Sequence, residues 1–272
     1  MSLISVSEAA RRLGVGVQRV HQRIADGSLP AERVGSQWIV EEIDVLPLLD
    51  RRGPGRPLSW RSSWALIAMA AAAAPASHDH DQGLEWVAWL ESLAPVERSR
   101  ARRRLEDLLA ILPADPSSEE YAEAVPVFAA RLRSLLRERA QRRLYRASPR
   151  DLRDVRGDER IVLSGLSHPR SGVASGDIVE GYLAGRDLDD LVKDYLLDEI
   201  ARDGDANVVL HVAADHGELV SPPSSDQSPI LVAADLCDHR RPREEARAAE
   251  IMRSSAEAGP DHEAAGDKGA GS

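Results

Sequence analysis

Gln18, Arg19, Gln22 and Arg23 fall at steps of one and four along VQRVHQRI, which puts four long hydrogen-bonding side chains on one face of a helix. Val17, Val20 and Ile24 form the opposite, apolar face, and His21 lies nearer its edge. A glutamine amide pairs in two-pronged fashion with adenine, and an arginine guanidinium with guanine, at base edges in a DNA major groove. Base reading is the chemistry this face implies. Its bland alternative is a contact face for protein. Arg33 and Gln37, on either side of Gly35-Ser36, could reach backbone phosphates from a hairpin.

The elements that must hold these side chains are legible nearby. Ser5 or Ser7 caps a first helix with Glu8 in its first turn, and Val6, Ala9, Ala10 and Leu13 give it a buried face. Gly14 ends that helix, and Asp26-Gly27 ends the second. Two short helices joined by a tight turn predict a helix-turn-helix. Ala31–Val34 and Gln37–Val40 then predict two strands around a Gly-Ser turn of the hairpin type, with Trp38 and Val40 facing inward. Glu41–Leu49 predicts a closing helix. The stretch SVSEAARRLGVGVQRVHQRIADGSLPAERVGSQWIVEEIDVLPLL resembles the excisionase/MerR-like winged helix-turn-helix family in the order of its parts: helix, glycine turn, recognition helix, Leu-Pro, wing, tryptophan, acidic closing helix. The resemblance implies binding of double-stranded DNA through Gln18, Arg19, Gln22 and Arg23, with Arg33 and Gln37 on the wing. It departs at Gly16, where that family often has a capping Ser or Thr, which implies a weaker cap and one phosphate contact fewer.

Elsewhere the chemically able residues favour plainer roles. His78-Asp79-His80-Asp81 carries metal-ligand types but has no partner cluster near it in sequence. Asp215, His216, Asp235, Asp238 and His239 follow expected strand ends, where α/β sites often lie. No nucleophile elbow, phosphate loop, dinucleotide glycine pattern or zinc-protease motif accompanies them. We therefore expect no enzyme activity, no cofactor and no metal. Cys237 stands alone, so no disulfide framework forms within one chain, and it reads as a small buried residue. The net charge of −10 argues against general attraction to nucleic acid. Residues 97–150 run against that sign, with thirteen Arg against eight Asp and Glu. Their Arg-rich helices, 98–104 and 131–146, read chiefly as solvated faces.

The fold class expected is α+β. Residues 1–50 form the winged helix-turn-helix; 51–59, RRGPGRPLS, a basic linker; 60–148 a helical region; 149–252 a mixed α/β domain; and 253–272 a disordered tail. Pro54-Gly55-Arg56-Pro57 resembles the Gly-Arg-Pro core of AT-hooks, but has Pro54 where that core has Arg. Within 60–148, Leu105, Leu108, Leu109 and Leu112 make one apolar stripe and Phe128, Leu132, Leu135 and Leu136 another, with Asp115–Ser118 and Pro126 as breaks. Strands are expected at Ile161–Leu163, Val179–Ala184, Asn207–Val212 and Ile230–Ala234, and helices at Asp187–Leu197 and Arg241–Met252. The apolar run Trp64–Ala74 is shorter than the roughly twenty residues a bilayer requires. The N-terminus lacks a basic-then-apolar leader pattern. Both point to a cytoplasmic protein away from membranes.

In its order of parts, from the winged helix through RRLYRASP to DLDDLVKDYLL and NVVLHV, the chain resembles the AbiEi-type DNA-binding antitoxins. That resemblance implies a transcriptional regulator, homodimeric on DNA, that represses its own operon and neutralises a nucleotidyltransferase-like protein toxin. The acidic helix with Asp187, Asp189, Asp190 and Asp194 is the expected toxin-facing surface. A phage-type excisionase or other architectural factor is the alternative that residues 1–50 alone would permit.

Overall fold

In the computed structural model the described residues are 3–13, 15–35, 37–41, 44–45, 48, 58–73, 88–173, 176–201, 205–213 and 228–257. The linker, the His78–Asp81 run, Asp215, His216 and the tail beyond 257 lie outside them. The chain divides into two compact units, Met1–Arg56 and Pro57–Ser272.

The first unit begins with β1 (Leu3–Ser5), which length alone hides from sequence reading, and α1 (Val6–Leu13). Ser5 caps α1: its Oγ accepts the Glu8 N–H at 3.2 Å. The unit continues with α2 (Val17–Ala25), β2 (Glu32–Val34) and β3 (Gln37–Glu41), the strands forming an antiparallel sheet in the order β1-β3-β2. Ile4, Val6, Ala9, Ala10, Leu13, Val20, Leu29, Val40, Val45 and Leu48 close a core, with Ile24 and Trp38 half-buried against it. Of the expected closing helix, residues 44–45 are helical.

The second unit holds α3 (Trp60–Ala73), α4 (Pro95–Leu109), α5 (Glu119–Leu135), β4 (Gln141–Arg146), α6 (Leu152–Arg156), β5 (Val162–Leu163), β6 (Val179–Ala184), α7 (Leu188–Asp194), β7 (Asp198–Glu199), β8 (Val208–Ala213), α8 (Pro229–Asp238) and α9 (Pro242–Glu257). The strands make one mixed sheet in the order β5-β6-β8-β4-β7, with β6 and β8 parallel. Alternation divides its faces. Tyr145, Val179, Leu183, Val208, Leu210 and Val212 pack with Leu152 and Val155 of α6 and Leu191 of α7. Tyr182, from the opposite face, joins the core built from α3, α4, α5, α8 and α9. The helical and α/β segments on either side of residue 148 thus share a core within one compact unit.

Four sequence expectations change here. Ile230–Ala234 is helical, not a strand: Pro229–Cys237 is buried on every side in α8, and a short apolar run has no period to separate the two conformations. Gln141–Arg146 is a strand, not the end of a helix, its arginines half-buried or exposed around the buried Tyr145. Pro126 does not break its helix but sits exposed within α5, where Val125, Phe128, Ala129 and Leu132 bury the surrounding turns. The acidic helix is shorter than expected, Leu188–Asp194. Among the described residues no helix is long and apolar enough to cross a membrane.

Candidate nucleic-acid interface

α2 is set by its ends and by one buried stripe. Gly16 occupies the N-cap with extended backbone (φ −70°, ψ 150°) and contributes no side-chain cap. At the other end Asp26 caps and Gly27 takes φ +74°, a left-handed turn that suits glycine. Ser28 hydrogen-bonds the Asp26 carboxyl and holds it below the usual carboxylate range, with Arg23 and Arg19 adding to the effect. Val20 is the fully buried anchor, and it fixes the helix's rotation so that Gln18, Arg19 and Gln22 stand exposed. Arg19 Nη1 donates to Gln22 Oε1 at 2.6 Å, so the two side chains are held as a pair, with guanidinium and amide N–H groups left to point outward. Arg23 is half-buried at the edge of this face.

Two details differ from the sequence reading. His21, expected near the buried edge, is exposed. Val17, expected in the core, is 43% exposed. It is the first residue of α2, beyond the reach of the eight-residue α1 that covers Val20. Its place directly after Gly16 was the signal for this: helical periodicity fixes a residue's direction, but not whether anything lies there.

The β2–β3 hairpin turns at Gly35, with φ +64° as a two-residue hairpin turn demands. The register pairs Arg33 with Trp38 and Val34 with Gln37. Arg33 and Gln37 therefore point to opposite faces of the hairpin, although both are exposed. The Arg33 guanidinium lies 5.9 Å over the Trp38 ring, a cation–π contact that steadies it beside the half-buried indole.

Residues 3–53 match the family model of the helix-turn-helix domain. No curated protein and no solved structure matches the chain significantly. The first unit thus has the sequence and the geometry of a DNA-binding helix-turn-helix.

The second unit holds a different kind of polar cluster, buried between the sheet and α8. Glu180, fully buried on β6, accepts from the Leu166 N–H at 2.8 Å and lies 3.0 Å from His211 Nε2 and 2.9 Å from His239 Nε2. Burial opposes its charge, but His239 and His211 outweigh burial and hold the carboxyl below its usual range. Gly165 makes the close approach possible: a Cβ there would stand 2.1 Å from Glu180 Oε2. Beside it Arg139, 4% exposed, donates to Tyr182 Oη at 2.8 Å, Asp235 Oδ1 at 2.7 Å and Asp238 Oδ2 at 2.5 Å, while Ser164 Oγ hydrogen-bonds Asp235 Oδ2. Asp235, Asp238 and His239, read from sequence as lying after a strand, project from one face and the C-cap of α8.

His211, Asp235 and Asp238 bring possible ligand atoms within 4.8 Å of one another, but the Arg139 guanidinium already supplies the positive charge between the two aspartates. Cys237 is fully buried, and burial pushes its thiol pKa well up, away from nucleophile chemistry. The Arg-rich segments are partly structural. Arg98 donates to the Glu91 and Leu93 carbonyls, Arg133 pairs with Glu245, Arg143 with Glu199 and Arg146 with Asp205. On α7, Asp190 has Lys193 at 3.6 Å and Asp194 has Arg160 at 2.8 Å. Half of the acidic surface suggested as toxin-facing is therefore already answered within the chain.

Proposed function

We propose that the chain is a sequence-specific DNA-binding transcriptional regulator. In this reading α2 is the recognition helix in the major groove and the β2–β3 hairpin a wing on the backbone. The observation that carries it is the exposed Gln18–Arg19–Gln22 face with its Arg19–Gln22 hydrogen bond, lying within the segment that matches the helix-turn-helix family. Arg19 and Gln22 read bases; Gln18 and Arg23 flank them; Arg33 and Gln37 meet phosphate from opposite faces of the wing. One copy makes few contacts, so two copies on paired half-sites are the expected bound form. Binding measured across a randomised duplex pool tests the reading. Arg19→Ala should cost roughly 1–3 kcal/mol and relax preference at one position. Unchanged affinity and preference in Arg19→Ala and Gln22→Ala would refute base reading.

The resemblance to AbiEi-type antitoxins extends the proposal: the regulator represses its own operon, and residues 57–272 neutralise a nucleotidyltransferase-like toxin. Truncation at residue 148 is a poor test, because it would strip α8 and α9 from the core they share with α3, α4 and α5. Co-expression of a neighbouring toxin gene with the full chain carrying Arg19→Ala and Gln22→Ala is the better one. Rescue without DNA binding supports neutralisation by the second unit; a neighbour harmless by itself removes the antitoxin role.

A further inference from the structure

Val17 is an apolar side chain that nothing within the folded chain requires. It is 43% exposed and stands outside the core that holds Val20 and Ile24. It does not cap α2, since the N-cap is Gly16. Nor does propensity favour it, because a β-branched side chain is a mediocre helix former. Its neighbour is equally unexplained from within. Gly16 has ordinary extended backbone, and a Cβ added there would meet nothing within 4 Å. A bare residue where the fold has room for a side chain leaves the N-terminal end of α2 open to something outside the chain. The exposed residues that follow Val17 on α2, Gln18, His21 and Gln22, all carry polar groups suited to base edges.

The N-terminal residues of a recognition helix are those that meet base edges. Among the groups in the major groove, the thymine 5-methyl is the apolar one. We infer that Val17 is a specificity-determining residue that packs against a thymine 5-methyl group, with Gly16 providing the clearance for that approach. The inference rests on the base-reading role proposed for α2 and adds to it a contact made without hydrogen bonds.

The test uses the full chain and the duplex that it selects from a randomised pool. Each thymine of that duplex is replaced in turn by deoxyuridine, which removes the methyl group and leaves every hydrogen-bonding edge in place. At one position the wild type should lose about fourfold in affinity, the value of one buried methyl group. Val17→Ser should bind the thymine duplex that much more weakly and be indifferent to the replacement, while Val17→Ile should keep the sensitivity. As Val17 lies outside the core, both variants should fold, which circular dichroism checks. A selected site without thymine overturns the inference, as does a deoxyuridine effect equal in wild type and Val17→Ser, or none at any position. In those cases base reading by Arg19 and Gln22 still stands. A wild-type chain that selects no sequence removes both.

Discussion

Replacing Arg139 with leucine would remove the one guanidinium that hydrogen-bonds Asp235, Asp238, Tyr182 and the Leu136 carbonyl together. Burial works against its charge, but Asp238 and Asp235 beside it more than compensate, and its pKa is raised well above the ordinary value. Without it two carboxylates face each other across a site in which Asp235 is fully buried. Removing one partner of such a buried pair costs about 3–5 kcal/mol, against a typical folding stability of about 5–15 kcal/mol. At a urea slope of about 2–3 kcal/mol/M the unfolding midpoint of the second unit should fall by about 1–2 M. Far-UV circular dichroism across a urea series measures it. Adding Asp235→Asn should recover part of the loss, because it removes the charge left without a counter-ion. A midpoint within about 0.3 M of wild type, smaller than a single ordinary hydrogen bond would give, would refute the idea that Arg139 ties the sheet to α8.

Other outcomes follow from the same geometry. The folded-state pKa of Glu180 is depressed, so its stabilisation is whole above the unfolded value of about 4.3 and is lost as pH falls below that value. Glu180→Gln should therefore weaken the fold at pH 7 and flatten part of its acid-induced loss, read as urea midpoints between pH 3 and 7. Gly165→Ala, which puts a methyl group against Glu180 at a backbone φ of +50°, should destabilise the second unit by more than about 1 kcal/mol in the same assay. Arg33→Ala should weaken binding to all duplexes about equally and lower the slope of log affinity against log salt by about 1; a loss confined to one sequence would place Arg33 on a base instead.

The DNA-binding face was readable because its determinants are local. A 3.6-residue period set Val20 against Gln18, Arg19 and Gln22, and Asp26-Gly27 marked the end of the helix. Val17 escaped because periodicity assumes a neighbour, and α1 ends too soon to supply one. In the second unit the strands at Val179–Ala184 and Val208–Ala213 were legible as β-branched runs, whereas β4 was masked by its arginines and α8 by its unbroken apolar character. The polar layer was illegible for a different reason. Arg139 meets Asp235 across 96 residues of sequence, and Glu180 meets His239 across 59, so only the assembled sheet and helix bring them together. One local clue existed: Asp235, Asp238 and His239 fall at i, i+3 and i+4, a helical spacing within a segment that its apolar run disguised as a strand.

The central claim is that α2 lies in the major groove with Arg19 on a guanine. Guanine N7 lies on that groove edge and reacts with dimethyl sulfate unless it is covered. On the duplex selected by the full chain, saturating wild-type protein should protect the N7 of at least one guanine. Arg19→Ala, raised to saturation on the same duplex, should leave that guanine reactive. Full reactivity at every guanine N7 of the bound site, or protection unchanged in Arg19→Ala, would contradict the account.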